Sequence, residues 1–367
     1  MTKTDTFLNI DYSAVRCEDD EDPKCIPRKL IYRIALNTCK VGLLICIFLF
    51  VVLPITYRYS YNFQRTAVFL NFVNVPSHAN YEQPEKYGMK GTRNFYITSN
   101  DDVKLGVWHI LPSNLENTSE TDDKLFNKML DDGQNVVIYS HGNGGCRLTS
   151  HRIETYQVLR KFFHVIAFDY RSYGDSSKLP PSELALVDDV LTIFQWVRQH
   201  TKSNIFIWGH SLGTSLSTHA LLKIQEMNLS QPVGLILEAP FNNMKEEISE
   251  FPLAKFFKFL PWFQFTIVDP MSRNFAFKTD EYICQVHVPI MILHAEDDQV
   301  VPFKLGNKLF RSAQKCRSLG EGKVEFHAFS ADHNFGHKYI CRAASLPDKI
   351  SNFIQLALET KQDKSLF

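Results

Sequence analysis

The sequence carries no surplus of charge: 40 Lys and Arg face 40 Asp and Glu over 367 residues. Without a basic excess there is no electrostatic footprint for DNA or RNA, and nucleic acid is excluded as a partner. Cysteine is scarce, at eight residues, and no pair has the spacing of metal ligands, so a zinc site is not expected. Cys17, Cys25, Cys39 and Cys46 lie in or before the first long apolar run. Cys146, Cys284, Cys316 and Cys341 follow it and are free to pair on an oxidising side, in a connectivity that the sequence leaves open. Internal repeats are absent, and a hydrophobic fraction of 44% excludes global disorder. The length fits one catalytic domain of roughly 250–300 residues behind an N-terminal extension. The most biased residue type is phenylalanine, with 29 copies, some of them concentrated in one segment.

Val41–Tyr57 reads VGLLICIFLFVVLPITY, without a charge, between Lys40 and Arg58. As a helix it spans roughly 26 Å, the short end of a membrane crossing and a length suited to a thin bilayer such as the endoplasmic reticulum. A core helix is seldom apolar on every face, and the polar stretch before the run is too long for a cleaved signal peptide. Lys24, Arg28, Lys29, Arg33 and Lys40 precede the run, whereas only Arg58 and Arg65 follow closely. This asymmetry predicts a cytoplasmic N-terminus and a lumenal or extracellular remainder. Sequons at Asn117 and Asn228 agree, and the acidic stretch Glu18–Asp22 reads as a solvated tail. The expected division is a tail at 1–40, a signal anchor at 41–57, a linker at 58–89 and a catalytic domain at 90–367.

From residue 90 strands and helices alternate. Strands are predicted at Asn94–Ser99, Val103–Leu111, Val136–Ser140, His164–Asp169, Asn204–Trp208, Val233–Glu238, Pro289–His294 and Val324–Phe329, with a polar loop at Pro112–Asp132. Val187, Val190, Leu191, Phe194 and Val197 recur at helical spacing behind a capping Ser182. Continuous apolar strands between amphipathic helices predict a mostly parallel sheet covered on both faces. The alternation breaks at about 241–285, where Phe251–Phe265 (FPLAKFFKFLPWFQF) holds seven aromatics. Two readings stay open: a core helix pair, or a helical aromatic lid in which Phe256, Phe257 and Trp262 line an acyl-chain groove and Lys255 and Lys258 meet a lipid surface.

Gly209-His210-Ser211-Leu212-Gly213 is a G-x-S-x-G motif between a predicted strand and a helix-like stretch, the context of a nucleophile elbow. A serine hydroxyl needs a base to take its proton. In chain order serine, acid, histidine, the acid is expected in His294-Ala295-Glu296-Asp297-Asp298 and the base in the late loop Ser330–Tyr339. Asp298 and His337 are assigned; Glu296, Asp297 and, less favoured, Glu238 are rival acids, and His333 is the rival base. Backbone N–H groups of Leu212 and of Asn143, in His141-Gly142-Asn143-Gly144-Gly145, are assigned to the oxyanion. That glycine-rich loop lacks the Lys-Ser/Thr of a P-loop and the G-x-G-x-x-G spacing, which argues against phosphate binding by the loop itself. The turn Asp169–Gly174 is read as structural, with Arg171 packing or pairing beneath the site. A triad performs acyl transfer unaided, so neither a metal nor an organic cofactor is expected.

In order, the apolar anchor, H-G-N-G-G, D-Y-R-x-Y-G-D-S, G-H-S-L-G-T, E-A-P-F-N-N, L-H-A-E-D-D-x-V-V-P and G-H-K-Y-I resemble the lysophosphatidylserine lipase family of α/β hydrolases, from roughly residue 30 to the C-terminus. The resemblance implies an α/β-hydrolase fold behind one transmembrane helix and an integral membrane enzyme of the endoplasmic reticulum with a lumenal site. It implies lysophospholipid substrates, chiefly lysophosphatidylserine, with monoacylglycerol as a second activity, and a triad of Ser211, Asp298 and His337. Ala295 and Ser172 stand where the wider superfamily has glycine. The same triad serves thioesterases and peptidases, and a non-catalytic scaffold is the rival from outside the enzymes; oligomeric state is not encoded in these motifs.

Overall fold

The computed structural model describes residues 28–365 apart from 74, 118–121, 252, 253 and 319. Glu18–Asp22, Lys24, Cys17 and Cys25 lie outside the described residues, as do Thr118 and Ser119 of the first sequon. The chain divides into two compact units, Met1–Thr56 and Tyr57–Phe367. In the first, α1 (Arg28–Ile47) passes through a π-helical turn at Phe48–Val52 into α2 (Leu53–Tyr59). The helical run Lys29–Tyr59, 31 residues, is long and apolar enough to cross a membrane. It begins well before the expected start at Val41, because Ile31, Ile34 and Leu36 extend the helix through the basic residues. Leu43, Leu44 and Phe48 are exposed rather than packed into a protein core.

The second unit is built on an eight-stranded sheet in the order β1-β2-β4-β3-β5-β6-β7-β8. Its strands are β1 (Thr92–Thr98), β2 (Lys104–Ile110), β3 (Val136–Ser140), β4 (His164–Phe168), β5 (Ile205–His210), β6 (Gly234–Glu238), β7 (Ile290–Ala295) and β8 (Val324–Phe329). β1, β2 and β4 pair antiparallel, and every pairing from β4 through β3 to β8 is parallel. Parallel neighbours require crossovers, which cover both faces. Period-two geometry then splits each central strand between two cores. Val136 and Ile138 join one core with Ile207 and Leu216, while Val137 and Tyr139 join another with Trp208 and Phe353. The expected fold class is the one observed.

The crossover helices include α6 (Glu183–His200), whose N-cap Ser182 accepts from Ala185 N, and α7 (Leu212–Glu226) and α12 (Phe303–Cys316); α13 (Leu346–Ser365) follows the last strand. A disulfide joins Cys284 to Cys316, while Cys146 and Cys341 are buried thiols. Asn117 and Asn228 are both exposed.

Three expectations need correction. The polar loop Pro112–Asp132 contains α4 (Asp123–Leu130), capped by the Asp122 side chain and held by two apolar residues one turn apart, Phe126 and Leu130. An unanticipated helix, α5 (Ser150–Leu159), follows β3. Its buried face includes His151, Arg152 and Thr155, so no apolar period announces it. The stretch 58–89 is packed rather than a free linker. Within it α3 (Tyr61–Val68) buries Gln64 and Val68, and Phe69 is fully buried behind it. Gln64 donates to Tyr57 O (2.8 Å) and accepts from Asn274 Nδ2 (2.7 Å) at the end of α10 (Asp269–Asn274).

Between β6 and β7 the chain is helical, with α8 (Met244–Glu250), α9 (Ala254–Phe257), a π-turn at Gln264–Val268, α10 and α11 (Thr279–Tyr282). Met244, Ile248, Phe263 and Val268 enter the core, whereas Phe256 and Phe259 are 78% and 80% exposed. Phe257 is also exposed, and Trp262 is half-buried against the core. The Lys258 ammonium lies 5.7 Å from the Phe259 ring; the side chain of Lys255 lies outside the described residues.

Candidate active site

Ser211 follows β5 directly, with φ 52° and ψ −117°. An L-residue at positive φ is strained by about 1–3 kcal/mol, so the surroundings must hold it there. Ser211 N donates to Glu238 O (2.9 Å), and Thr214 N donates to Ser211 O (2.9 Å). The flanking glycines are obligatory. A Cβ on Gly213 would lie 2.0 Å from Ser140 O, and one on Gly209 would lie 2.4 Å from Gly213 O. The turn therefore packs against the end of β3 and starts α7 with the Leu212 amide.

The loop after β3 reaches the serine by the same close approach. A Cβ on Gly142 would sit 3.1 Å from Ser211 Cβ and 2.8 Å from His210 Nδ1. The next residue, Asn143, has its side chain fully engaged. Oδ1 accepts from Leu70 N (2.9 Å), Tyr173 Oη (2.9 Å) and Gly144 N (3.1 Å), and Nδ2 donates to Val68 O (2.6 Å). Gly145 N donates to Val73 O (2.8 Å), and Thr149 Oγ1 to Val75 O (3.0 Å). Val68, Leu70, Val73 and Val75 are thus stitched to the segment that follows β3, a contact that local sequence does not signal because its partners are more than seventy positions apart. Among the described residues, the backbone N–H groups of Asn143 and Leu212 have no hydrogen-bond partner.

Asp298 and His337 meet on the loops after β7 and β8. His337 Nδ1 lies 2.7 Å from Asp298 Oδ2. Asp298 Oδ1 accepts from Val300 N (2.8 Å) and Val301 N (2.9 Å). His294 Nε2 donates to Val301 O (2.9 Å) and lies 3.4 Å from Asp298 Oδ2. Burial opposes ionisation of Asp298, but hydrogen bonding to His294 and His337 outweighs it and holds the carboxyl well below the usual carboxylate range. His210 Nε2 donates to His337 O (2.9 Å), and the two rings lie 4.9 Å apart, which fixes the His337 backbone beside the elbow. Burial, then the neighbouring His337 and His151, push the His210 pKa far down and keep that ring neutral. No hydrogen bond joins Ser211 Oγ to His337 among the described residues; such contacts commonly tighten when substrate binds.

The rival residues sit elsewhere. Asp297 Oδ2 accepts from Gly336 N (2.9 Å), bracing the histidine loop by its backbone. Glu296 and His333 are exposed, and the His333 ring stacks on Phe335. Glu238 accepts from Trp208 Nε1 (2.9 Å) instead of an imidazole, and burial pushes its pKa up to about 7, with the Asp298 charge adding to the effect. Glu247, on α8, is pushed up to about 8 by burial and then by Asp298 and Glu250. Arg171 pairs with buried Asp189 (2.6 Å), as the turn reading expects. Ser172 adopts φ 73°, the conformation for which glycine is the usual residue, whereas Ala295 lies in β7 at no such angle. Among the described residues no group of three or more His, Cys, Asp and Glu is arranged to hold a metal ion.

A family model for the alpha/beta hydrolase fold matches residues 135–263. Lysophosphatidylserine lipase ABHD12 of Danio rerio is 36% identical over 311 residues, covering 84% of this chain and 81% of that protein. The protein of the same name from Mus musculus is 37% identical over 317 residues, covering 85% and 79%. Protein ABHD12B of Homo sapiens is 32% identical over 292 residues, covering 78% and 79%. Among solved structures, the Pyrococcus furiosus esterase Pf2001 aligns at TM-score 0.55 and 17% identity, covering 77% of this chain and 97% of its own. Est1E of Butyrivibrio proteoclasticus aligns at 0.51 and 14% identity, covering 72% and 99%. These two support the fold alone.

The Glu238 carboxyl gives a pH signature. A group whose pKa rises from 4.5 to about 7 on folding costs nothing while both states are protonated, and destabilises the fold progressively as pH climbs through that window. Glu238→Gln keeps the acceptor for Trp208 and removes the titration. Thermal melts of the detergent-solubilised protein should show the variant gaining on wild type between pH 4.5 and 7, by at most about 3 kcal/mol, and then a constant difference. A difference independent of pH would refute the buried-acid assignment.

Proposed function

Since this chain belongs to the lysophosphatidylserine lipase family of α/β hydrolases, we propose that it hydrolyses the acyl ester of lysophospholipids, chiefly lysophosphatidylserine, and of monoacylglycerols. Ser211 is the nucleophile, His337 the general base and Asp298 its acidic partner. One observation carries the assignment: the 2.7 Å contact between His337 Nδ1 and a buried carboxylate, on the sheet edge from which the strained Ser211 projects. Asp298 accepts a hydrogen bond from Nδ1–H, which fixes the tautomer and leaves the Nε2 lone pair to take the Ser211 proton as Oγ attacks the ester carbonyl. The free amides of Leu212 and Asn143 receive the oxyanion. His337 passes its proton to the departing glycerol oxygen, and water releases the fatty acid from the acyl-enzyme by the same route.

The lid deepens this reading. Phe256, Phe257 and Trp262 belong to an aromatic segment exposed on one side and joined to the core on the other, the layout of an apolar chain guide. Each methylene buried there contributes about 0.8 kcal/mol. The membrane reading is a single-pass anchor with a cytoplasmic N-terminus and a lumenal catalytic unit, in the endoplasmic reticulum. It is supported by the charge asymmetry around the apolar run, by exposed sequon asparagines at 117 and 228 and by the Cys284–Cys316 disulfide, which favours an oxidising side.

Three experiments test these assignments. Ser211→Ala, Asp298→Asn and His337→Ala should each lower kcat by roughly 10⁴-fold or more without loss of fold, and a double variant should be little worse than the poorer single one. Near-full activity of His337→Ala would overturn the base assignment. Replacing Phe256, Phe257 and Trp262 with serine should impair hydrolysis of long-chain lysophosphatidylserine while sparing a short soluble ester; equal loss on both would mean the segment is core. In sealed, correctly oriented microsomes the catalytic unit should resist added protease, and its cleavage there would reverse the topology.

A further inference from the structure

Beside the oxyanion loop lies a cavity of about 210 Å³ that the acyl-transfer chemistry does not use. Arg65, at the C-terminal end of α3, and Lys178 bring positive charge to its lining, with Asn71, Ser172, Pro180 and Pro181 among the other walls. Neither cation has a carboxylate partner among the described residues. Nearby acids are taken: Asp175 pairs with Arg147 (2.6 Å) and Asp189 with Arg171 (2.6 Å). Lys178 Nζ donates to Gly174 O (2.5 Å), which leaves two of its N–H groups free, and the Arg65 guanidinium lies 6.0 Å from the Tyr61 ring. Ser172 Oγ accepts from Asn71 Nδ2 (2.7 Å) and keeps its own proton to donate.

The cavity is one residue removed from the oxyanion loop along two chain segments. Leu70 N and Tyr173 Oη both donate to Asn143 Oδ1, at 2.9 Å each, and the adjacent residues Asn71 and Ser172 line the cavity. Asn143 is preceded by Gly142, which abuts the Ser211 Cβ. In a lysophospholipid the phosphate and the scissile ester are carried on the same glycerol, so a phosphate subsite belongs near the loop beside the serine. Two cations without carboxylate partners, with a hydroxyl and an amide in the same lining, match the acceptor oxygens of a phosphodiester, which take short, charge-assisted hydrogen bonds.

We propose that this cavity is a phosphate subsite, in which Arg65, Lys178 and Ser172 seat the headgroup phosphate of an anionic lysophospholipid while its ester lies over Ser211. The inference rests on the lysophospholipid reading above and adds the feature that separates phosphorylated from neutral substrates. The test uses the full chain in neutral detergent micelles, with lysophosphatidylserine, lysophosphatidylethanolamine and monoacylglycerol of one acyl chain. The double variant Arg65→Gln, Lys178→Gln should lose about 10- to 100-fold in kcat/KM on both lysophospholipids, mainly through KM, and hold monoacylglycerol turnover within about two-fold. The charge-conserving pair Arg65→Lys, Lys178→Arg should recover most of the loss. Inorganic phosphate should compete with lysophosphatidylserine in wild type and lose that effect in the glutamine variant.

Equal loss on all three substrates would overturn the subsite in favour of a structural role. Loss confined to lysophosphatidylserine would overturn it in favour of the serine carboxylate. A defect seen only on anionic vesicles, and shared by monoacylglycerol, would assign the cations to bilayer headgroups instead. Wild-type turnover of monoacylglycerol without turnover of either lysophospholipid would remove the substrate reading and the subsite together.

Discussion

The turn that holds Ser211 at φ 52° is the constraint on which the site depends. A strand must end and a helix begin within one residue, with no space for a Cβ on either flanking glycine. That geometry requires Ser140 O and the first turn of α7 to lie almost in contact, so β3 and β5 must be hydrogen-bonded neighbours ending level with each other. They are: Ser140 pairs with Gly209. Once those two strands are fixed, the loop that leaves β3 and the end of β6 meet the serine, and the loop that leaves β7 meets His337. Glu238 O, at the end of β6, accepts the Ser211 amide, and the acid loop continues from β7. Parallel register therefore both covers the core and brings Ser211, Asp298 and His337 to the same end of the sheet.

The electrostatics follow from how completely each buried charge is matched. Asp298 is buried yet stays ionised because two backbone amides and two imidazoles surround it. Glu238 and Glu247, near the same carboxylate but with fewer donors, are pushed toward the neutral form. Beneath the oxyanion loop, Arg147 is fully buried between Asp169 and Asp175, and breaking such a pair typically costs about 3–5 kcal/mol. Asp298 is thus held ionised beside the His337 imidazole, while Glu238 and Glu247 are shifted toward protonation and Asp169 and Asp189 are paired with arginines.

The Asn143 side chain gives the segment after the apolar helix a place in this arrangement. Its four hydrogen bonds tie Val68, Leu70 and Tyr173 to the loop that carries its free amide. The same segment meets the lid, through Gln64 with Asn274 and through stacking of Tyr61 on Phe275 at 5.2 Å. A stretch that reads as a linker is therefore a structural bridge between the loop after β3 and the helices between β6 and β7. Truncating a buried polar network of this kind leaves orphaned donors, which is why it behaves as a unit.

What the sequence determined by itself is what short range controls. Strand positions followed from continuous apolar runs, the elbow from G-x-S-x-G between strand and helix, and the long apolar helix from a run without charge. Ser211, Asp298 and His337 could be proposed because each lies in a motif that follows a predicted strand, and the structure brings His337 and Asp298 into contact. Other features depended on partners far along the chain. α5 has no apolar stripe because its inward face meets polar loops, which only the assembled sheet brings near. Residues 58–89 look like a linker because their partners, Asn143, Asn274 and Phe275, are distant in sequence. Tertiary packing also decided that Asp298 rather than Asp297 meets the imidazole, since the two acids are adjacent and only the direction of each side chain separates them. Ser172 lines a cationic cavity for the same reason: a hydroxyl acquires a role from what surrounds it, and that environment is created when remote segments pack together.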